Sequence, residues 1–189
     1  MHGFALNQII IIAIHRMGAC KDDLETEENG RVVASLQGKI AGYKEIISIL
    51  AAEFSLTQAM LDDTGDEPID IGKADDEEVD ASVASIEALR KTEAWAKVLA
   101  RVEANIVNLK DFLLFSAEKS RDLDICQGKY EAQTVYKSFF SQVESESSYR
   151  QRKREEKQKE KAEHLPFEET LETGDDPREV ADRVLTFKA

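Results

Sequence analysis

Residues 95–115 read WAKVLARVEANIVNLKDFLLF. Trp95, Leu99, Val102, Ile106, Leu109 and Leu113 recur at intervals of four and three, which puts them on one side of an α-helix as a heptad seam. A seam that regular calls for a partner helix, in the same chain or in another. Val98, Phe112 and Phe115 lie off that line, so the spacing predicts contacts with two neighbours. The segment leading in, with Val83, Ile86 and Leu89, extends the helix back to a cap at Asp80 or Ser82.

A second segment repeats the pattern. In RVVASLQGKIAGYKEIISILAAEF (31–54), Val33, Leu36, Ile40, Tyr43, Ile47, Leu50 and Phe54 keep the three-four alternation, and Thr57 and Leu61 carry the phase to residue 61. Gly38 and Gly42 cost about 1 kcal/mol each against alanine in a helix interior. Spaced by four, they also make a smooth strip that another helix can approach closely. Upstream, Leu6, Ile10, Ala13 and Met17 form a helical stripe, the favoured reading, with a strand through the four isoleucines 9–12 as the alternative. Lys21–Gly30 ends in Asn-Gly and reads as a turn. Past the polar connector 116–124, Ile125, Cys126, Tyr130, Tyr136, Phe139, Phe140 and Val143 predict a further helix, with Gln133 and Lys137 at positions where apolar residues are expected.

The sequence therefore predicts an all-α fold of two long antiparallel helical hairpins forming a bundle, 1–61 and 81–149, joined by an acidic linker, 62–80. Ten acids and one lysine in that linker predict a self-repelling, extended segment. Gln37-Gly38-Lys39 and Gln127-Gly128-Lys129 stand ninety residues apart at matching places in the two hairpins, which suggests a duplicated unit. A charged helix extension (150–163) follows. The chain ends in an extended C-terminal arm (164–189), where Asp176-Pro177-Arg178-Glu179 combines an N-cap, a first-turn proline and a capping-box glutamate. Three turns of helix are too short to persist alone, so the arm is expected to dock through Leu165, Phe167, Val180, Val184 and Phe187.

Composition narrows the functional classes. A net charge of −13 disfavours capture of nucleic acid by the overall field. Phosphate contacts would have to come from the basic run Arg150, Arg152, Lys153, Arg154, Lys157, Lys159 and Lys161, which is interleaved with glutamates. The two cysteines, Cys20 and Cys126, form no CxxC pair and predict a reduced, cytoplasmic setting. Ile9–Ile14 is too short to span a bilayer, so no membrane partner is expected. His15-Arg16 before Cys20, and a first segment without lysine or arginine, argue against lipoprotein anchoring at Cys20.

Motif chemistry is sparse. There is no Gly-rich phosphate loop, nucleophile elbow or HExxH. Asp63-Thr64-Gly65 is accounted for by a helix stop, the pairs Glu25/Glu28 and Glu169/Glu172 lie in polar segments, and His2, His15 and His164 are widely separated. The expectation is a non-enzyme with no catalytic residue, no metal and no cofactor.

Trp95, Leu109 and Gln127-Gly128, set in an acidic body with a docking tail, resemble the small helical-hairpin structural and assembly proteins encoded among tailed-phage genes. The resemblance spans residues 85–145 and transfers no site. It implies a virion, neck or scaffolding role with protein partners, as a homo-oligomer or in a larger assembly. A nucleic-acid-associated accessory protein using the run 150–161 is the competing class.

Overall fold

In a computed structural model of the chain, residues 3–62, 67–115 and 120–163 are described, with side chains left aside at 62, 120 and 161–163. Every regular element among them is a helix: α1 (Phe4–Thr26), α2 (Gly30–Phe54), α3 (Gln58–Asp62), α4 (Asp76–Arg90), α5 (Glu93–Phe115), α6 (Ser120–Gln133) and α7 (Val135–Glu163). The C-terminal arm, with Leu165, Phe167, Val180, Val184 and Phe187, lies outside the described residues, as does Asp63-Thr64-Gly65. The chain divides between Arg150 and Gln151, and the first unit carries the core.

The isoleucine run is helical, and it is enclosed rather than striped. Ala5, Leu6 and Gln8 through Ala13 are all buried, so this part of α1 is covered around its circumference, as an all-apolar helix requires. Its first turn has no side-chain cap of its own. Instead Ser85 of α4 accepts the Ala5 N–H at 2.8 Å. Helix α1 runs on through the expected turn to Thr26, and Asn29 then caps α2 by accepting the Arg31 N–H.

Several expected boundaries move, each for a local reason. Helix α2 stops at Phe54 instead of reaching Leu61, because Ser55 turns left-handed (φ 53°), and a short α3 follows. Helix α4 begins at Asp76, ahead of the expected caps Asp80 and Ser82. Asp75 accepts the Glu78 N–H while Glu78 accepts the Asp75 N–H, a complete capping box. Ser82 is buried inside the helix and donates to the Glu78 carbonyl. The helix expected to run unbroken from 81 to 115 is interrupted at Lys91–Thr92, where the Thr92 hydroxyl accepts the Trp95 N–H and starts α5 afresh. Thr134 marks the break between α6 and α7, its hydroxyl bonding back to the Tyr130 carbonyl.

The acidic linker is the largest correction. Residues 67–75 do not extend into solvent: Ile71 is fully buried, Ala74 is buried, and Ile69 packs partly against the same core. Gln8, buried in α1, accepts the Ile69 N–H at 3.0 Å. Arg150 clamps the other end, donating to the carbonyls of Ala74 (2.8 Å) and Ile71 (3.5 Å) while pairing with Asp76 and Glu146. Two apolar side chains and a set of satisfied backbone groups outweigh the repulsion among carboxylates that point outward. The proposed halves accordingly share one apolar core, which takes residues from α1, α2, α4, α5, α6, α7 and this loop. Arg150→Ala strands two loop carbonyls and is expected to cost about 1–3 kcal/mol. Limited proteolysis should show faster cleavage within 67–75.

The most extensive helix pairing joins α2 to α6. Arg31 pairs with Asp124, Lys39 with Glu131 at 2.9 Å, and Glu45 with Gln133, so the two helices run parallel. Their approach depends on glycine. A Cβ at Gly38 would overlap the Ile125 carbonyl, and one at Gly128 would overlap the Ser35 carbonyl. Each glycine thus sits on the residue three before the other, so the ninety-residue offset of the two Gln-Gly-Lys tripeptides is also the symmetry of their packing. Gly42 meets Ala132 four residues on, where an added Cβ would stand 2.7 Å from the alanine Cβ. The strip of small residues is therefore two-sided, Gly38/Gly42 against Gly128/Ala132.

Candidate functional site: a groove and the uncovered end of α5

Helix α5 is held at its first half and released at its second. Trp95, Val98 and Val102 are buried. Trp95 stands edge-on to Tyr136 (centroids 5.3 Å apart) and tilted against Phe140 (5.7 Å), and Arg90 lies over the Phe140 ring, 4.9 Å from its centroid. Beyond Val102 the cover thins. Ile106, Leu109 and Leu113 are only partly buried, and Val107 (53%), Phe112 (40%), Leu114 (75%) and Phe115 (84%) are exposed. Phe112 and Phe115 were expected to meet a second neighbour, and among the described residues they do not bury against one.

Beside this end lies a groove of about 400 Å³, with apolar walls from Leu109, Phe112, Ile125 and Cys126. At its polar end the Glu45 carboxylate accepts the Asn105 amide at 2.9 Å and the Gln133 amide at 2.6 Å. Gln133 interrupts the apolar pattern of α6 because it is fully buried on this carboxylate, and its own Oε1 has no hydrogen-bond partner. Lys129 and Asp122 complete the lining. The arrangement sets amides and carboxylates against apolar walls, with the Cys126 thiol and the Lys129 amine among them. Burial pushes the Cys126 thiol above its ordinary value, with Lys129 opposing only in part, and the same cause acts on Cys20. Two buried, protonated thiols are poor attacking groups.

A second groove of about 440 Å³ runs along Trp95, Leu99, Tyr136 and Phe140, rimmed by Arg90 and Glu144, which pair at 2.8 Å. Burial raises the Tyr136 hydroxyl above the usual phenol value. Among the described residues no group of three or more His, Cys, Asp or Glu side chains could hold a metal ion. No described helix is long and apolar enough to cross a membrane.

The sequence-predicted phosphate residues separate into two groups. Arg150 is committed to the 67–76 loop, with four acceptors from its own chain. Arg152, Lys153, Arg154, Lys157 and Lys159 are exposed along the second unit's helical residues, and the Lys161 side chain is outside the described set. The exposed end of α5 was missed as a site because seam spacing reports which residues share a face, not where the cover over that face ends. Comparison with known proteins found no matching family model, no matching curated protein and no matching solved structure.

Proposed function

We propose that the chain is a non-enzymatic assembly component: two antiparallel helical hairpins, α1–α2 and α5 with α6–α7, packed as one bundle that joins other protein subunits. The observation that carries this reading is the end of α5. Leu114 and Phe115, with Phe112 on the groove side of the same turn, are large apolar side chains left in water, and exposed apolar surface of that kind marks contact sites. The adjoining groove and the docking residues of the arm, Leu165, Phe167, Val180, Val184 and Phe187, would provide further contact. A virion, neck or scaffolding role fits such a part, in keeping with the resemblance to tailed-phage assembly proteins.

Light scattering over a concentration series tests it. The expected result is a mass that rises with concentration and falls when Phe112 and Phe115 are both replaced by serine. A chain that stays monomeric at every concentration and that captures no sister copy overturns self-assembly. The accessory-protein alternative draws on the exposed Arg152, Lys153, Arg154, Lys157 and Lys159. It would appear as duplex binding whose affinity falls steeply with added salt.

A further inference from the structure

The groove between α5 and α6 has a polar end whose hydrogen bonding is incomplete. Glu45 accepts one N–H from Asn105 and one from Gln133, so both amides converge on its carboxylate. Among the described residues no lysine or arginine forms an ion pair with Glu45. Gln133 is fully buried and lines the groove, yet its Oε1 has no hydrogen-bond partner among the described residues. Buried amide oxygens are nearly always bonded, so one left open beside a cavity points to a donor that comes from outside the chain. The walls are ordered from this end. Helix α5 runs antiparallel to α2, since Asn105 meets Glu45 and Arg101 meets Glu53, and it is therefore antiparallel to α6 as well. Leu109 and then Phe112 on α5 accordingly lie across from Cys126 and Ile125 on α6, and the apolar stretch begins where the polar cluster stops.

We infer that this groove is a binding site for a small organic amine, a primary ammonium group carried on a short alkyl or aryl body. The ammonium donates to the Glu45 carboxylate and to Gln133 Oε1, and the body lies along Leu109, Phe112, Ile125 and Cys126. The positive charge answers a part-buried carboxylate whose partners in the chain are only amides, and hydrogen bonds between two charged groups are the stronger kind. A volume of about 400 Å³ suits such a molecule, at the low end of ligand pockets, which run from about 300 to 1,000 Å³. Lys129, one turn from Gln133 on α6, also lines the groove and opposes a cation, whereas Asp122 stands at the far end beyond Ile125. The inference is independent of the assembly reading, because it uses the groove side of α5 and not its exposed tip.

Calorimetric titration of the full chain with n-hexylamine at neutral pH tests it, with hexanoate and hexyltrimethylammonium as comparison probes. The amine should bind saturably. E45Q should weaken it about tenfold or more, through loss of a charge-assisted hydrogen bond. K129Q should tighten it about two- to threefold, by removing a like charge close to the head group. Hexyltrimethylammonium carries the same charge without an N–H, so it should bind about tenfold more weakly than the amine. In NMR spectra the side-chain amide signals of Asn105 and Gln133 should move during the titration, while that of Asn29, at the start of α2, stays in place. Tighter binding of hexanoate, with E45Q and K129Q acting in the opposite directions, would make the ligand an anion and overturn the proposal. Equal affinities in the parent, E45Q and K129Q would mean attraction to an acidic surface only and would overturn it too, as would the absence of saturable binding. If E45Q fails to fold, K129Q and the amide signals decide, because both are read with Glu45 in place.

Discussion

Gly38→Ala should destabilise the fold by about 2–3 kcal/mol, although alanine is favoured over glycine in a helix interior by about 1 kcal/mol. The added methyl would enter the carbonyl of Ile125, which is backbone and cannot rotate away. Helices α2 and α6 would have to separate along their whole contact, loosening Gly42 from Ala132 and lengthening the Lys39–Glu131 bridge. Gly128→Ala should behave in the same way, because the Ser35 carbonyl occupies the corresponding place. The double variant should cost clearly less than the sum of the two, since the first substitution already opens the gap that the second needs. Gly18→Ala supplies the contrast: nothing lies within 4 Å of a Cβ there, so the gain in helix propensity, about 0.5–1 kcal/mol, should appear as added stability. Urea midpoints at constant slope measure all four. A neutral or stabilising Gly38→Ala would mean that the two helices do not touch as described.

How much of this was legible in the sequence varies by element. The α2 seam and the small strip at Gly38 and Gly42 could be read directly, because side-chain spacing and the missing Cβ are local facts. The partner of that strip could not, even though the repeated Gln-Gly-Lys pointed at it. A tripeptide match says that two places are alike, and only packing shows that they face each other. Ile69 and Ile71 were obscured by the acids around them, since composition averages over a loop whose two apolar side chains turn inward while its carboxylates turn out. Asp75 with Glu78 carries a capping-box signal five residues ahead of Asp80, but it lies inside the acidic run whose composition reads as linker. Arg150 shows the same limit at the candidate site. Charge counting placed it with six other basic residues, and only the positions of the Ile71 and Ala74 carbonyls reveal that it belongs to the loop.

Helix α5 carries large apolar residues of two kinds, buried in its first half and exposed at its end, and substitution should separate them. Trp95→Ala removes the largest fully buried side chain, together with its contacts to Tyr136 and Phe140. The expected loss is about 3–5 kcal/mol, a large part of what a domain of this size has to spare. Circular dichroism should follow the unfolding, because Trp95 is the chain's single tryptophan and its fluorescence goes with it. Leu114→Ala, nineteen residues further along the same helix, should change the stability of the dilute protein by no more than about 0.5 kcal/mol, because three-quarters of that residue is already in water. The order reverses for self-association. There Leu114→Ala should weaken association, whereas a Trp95 variant examined at a temperature where it remains folded should associate like the parent. If Leu114→Ala proved as costly to folding as Trp95→Ala, the end of α5 would be core, and no surface would be left there for a second copy.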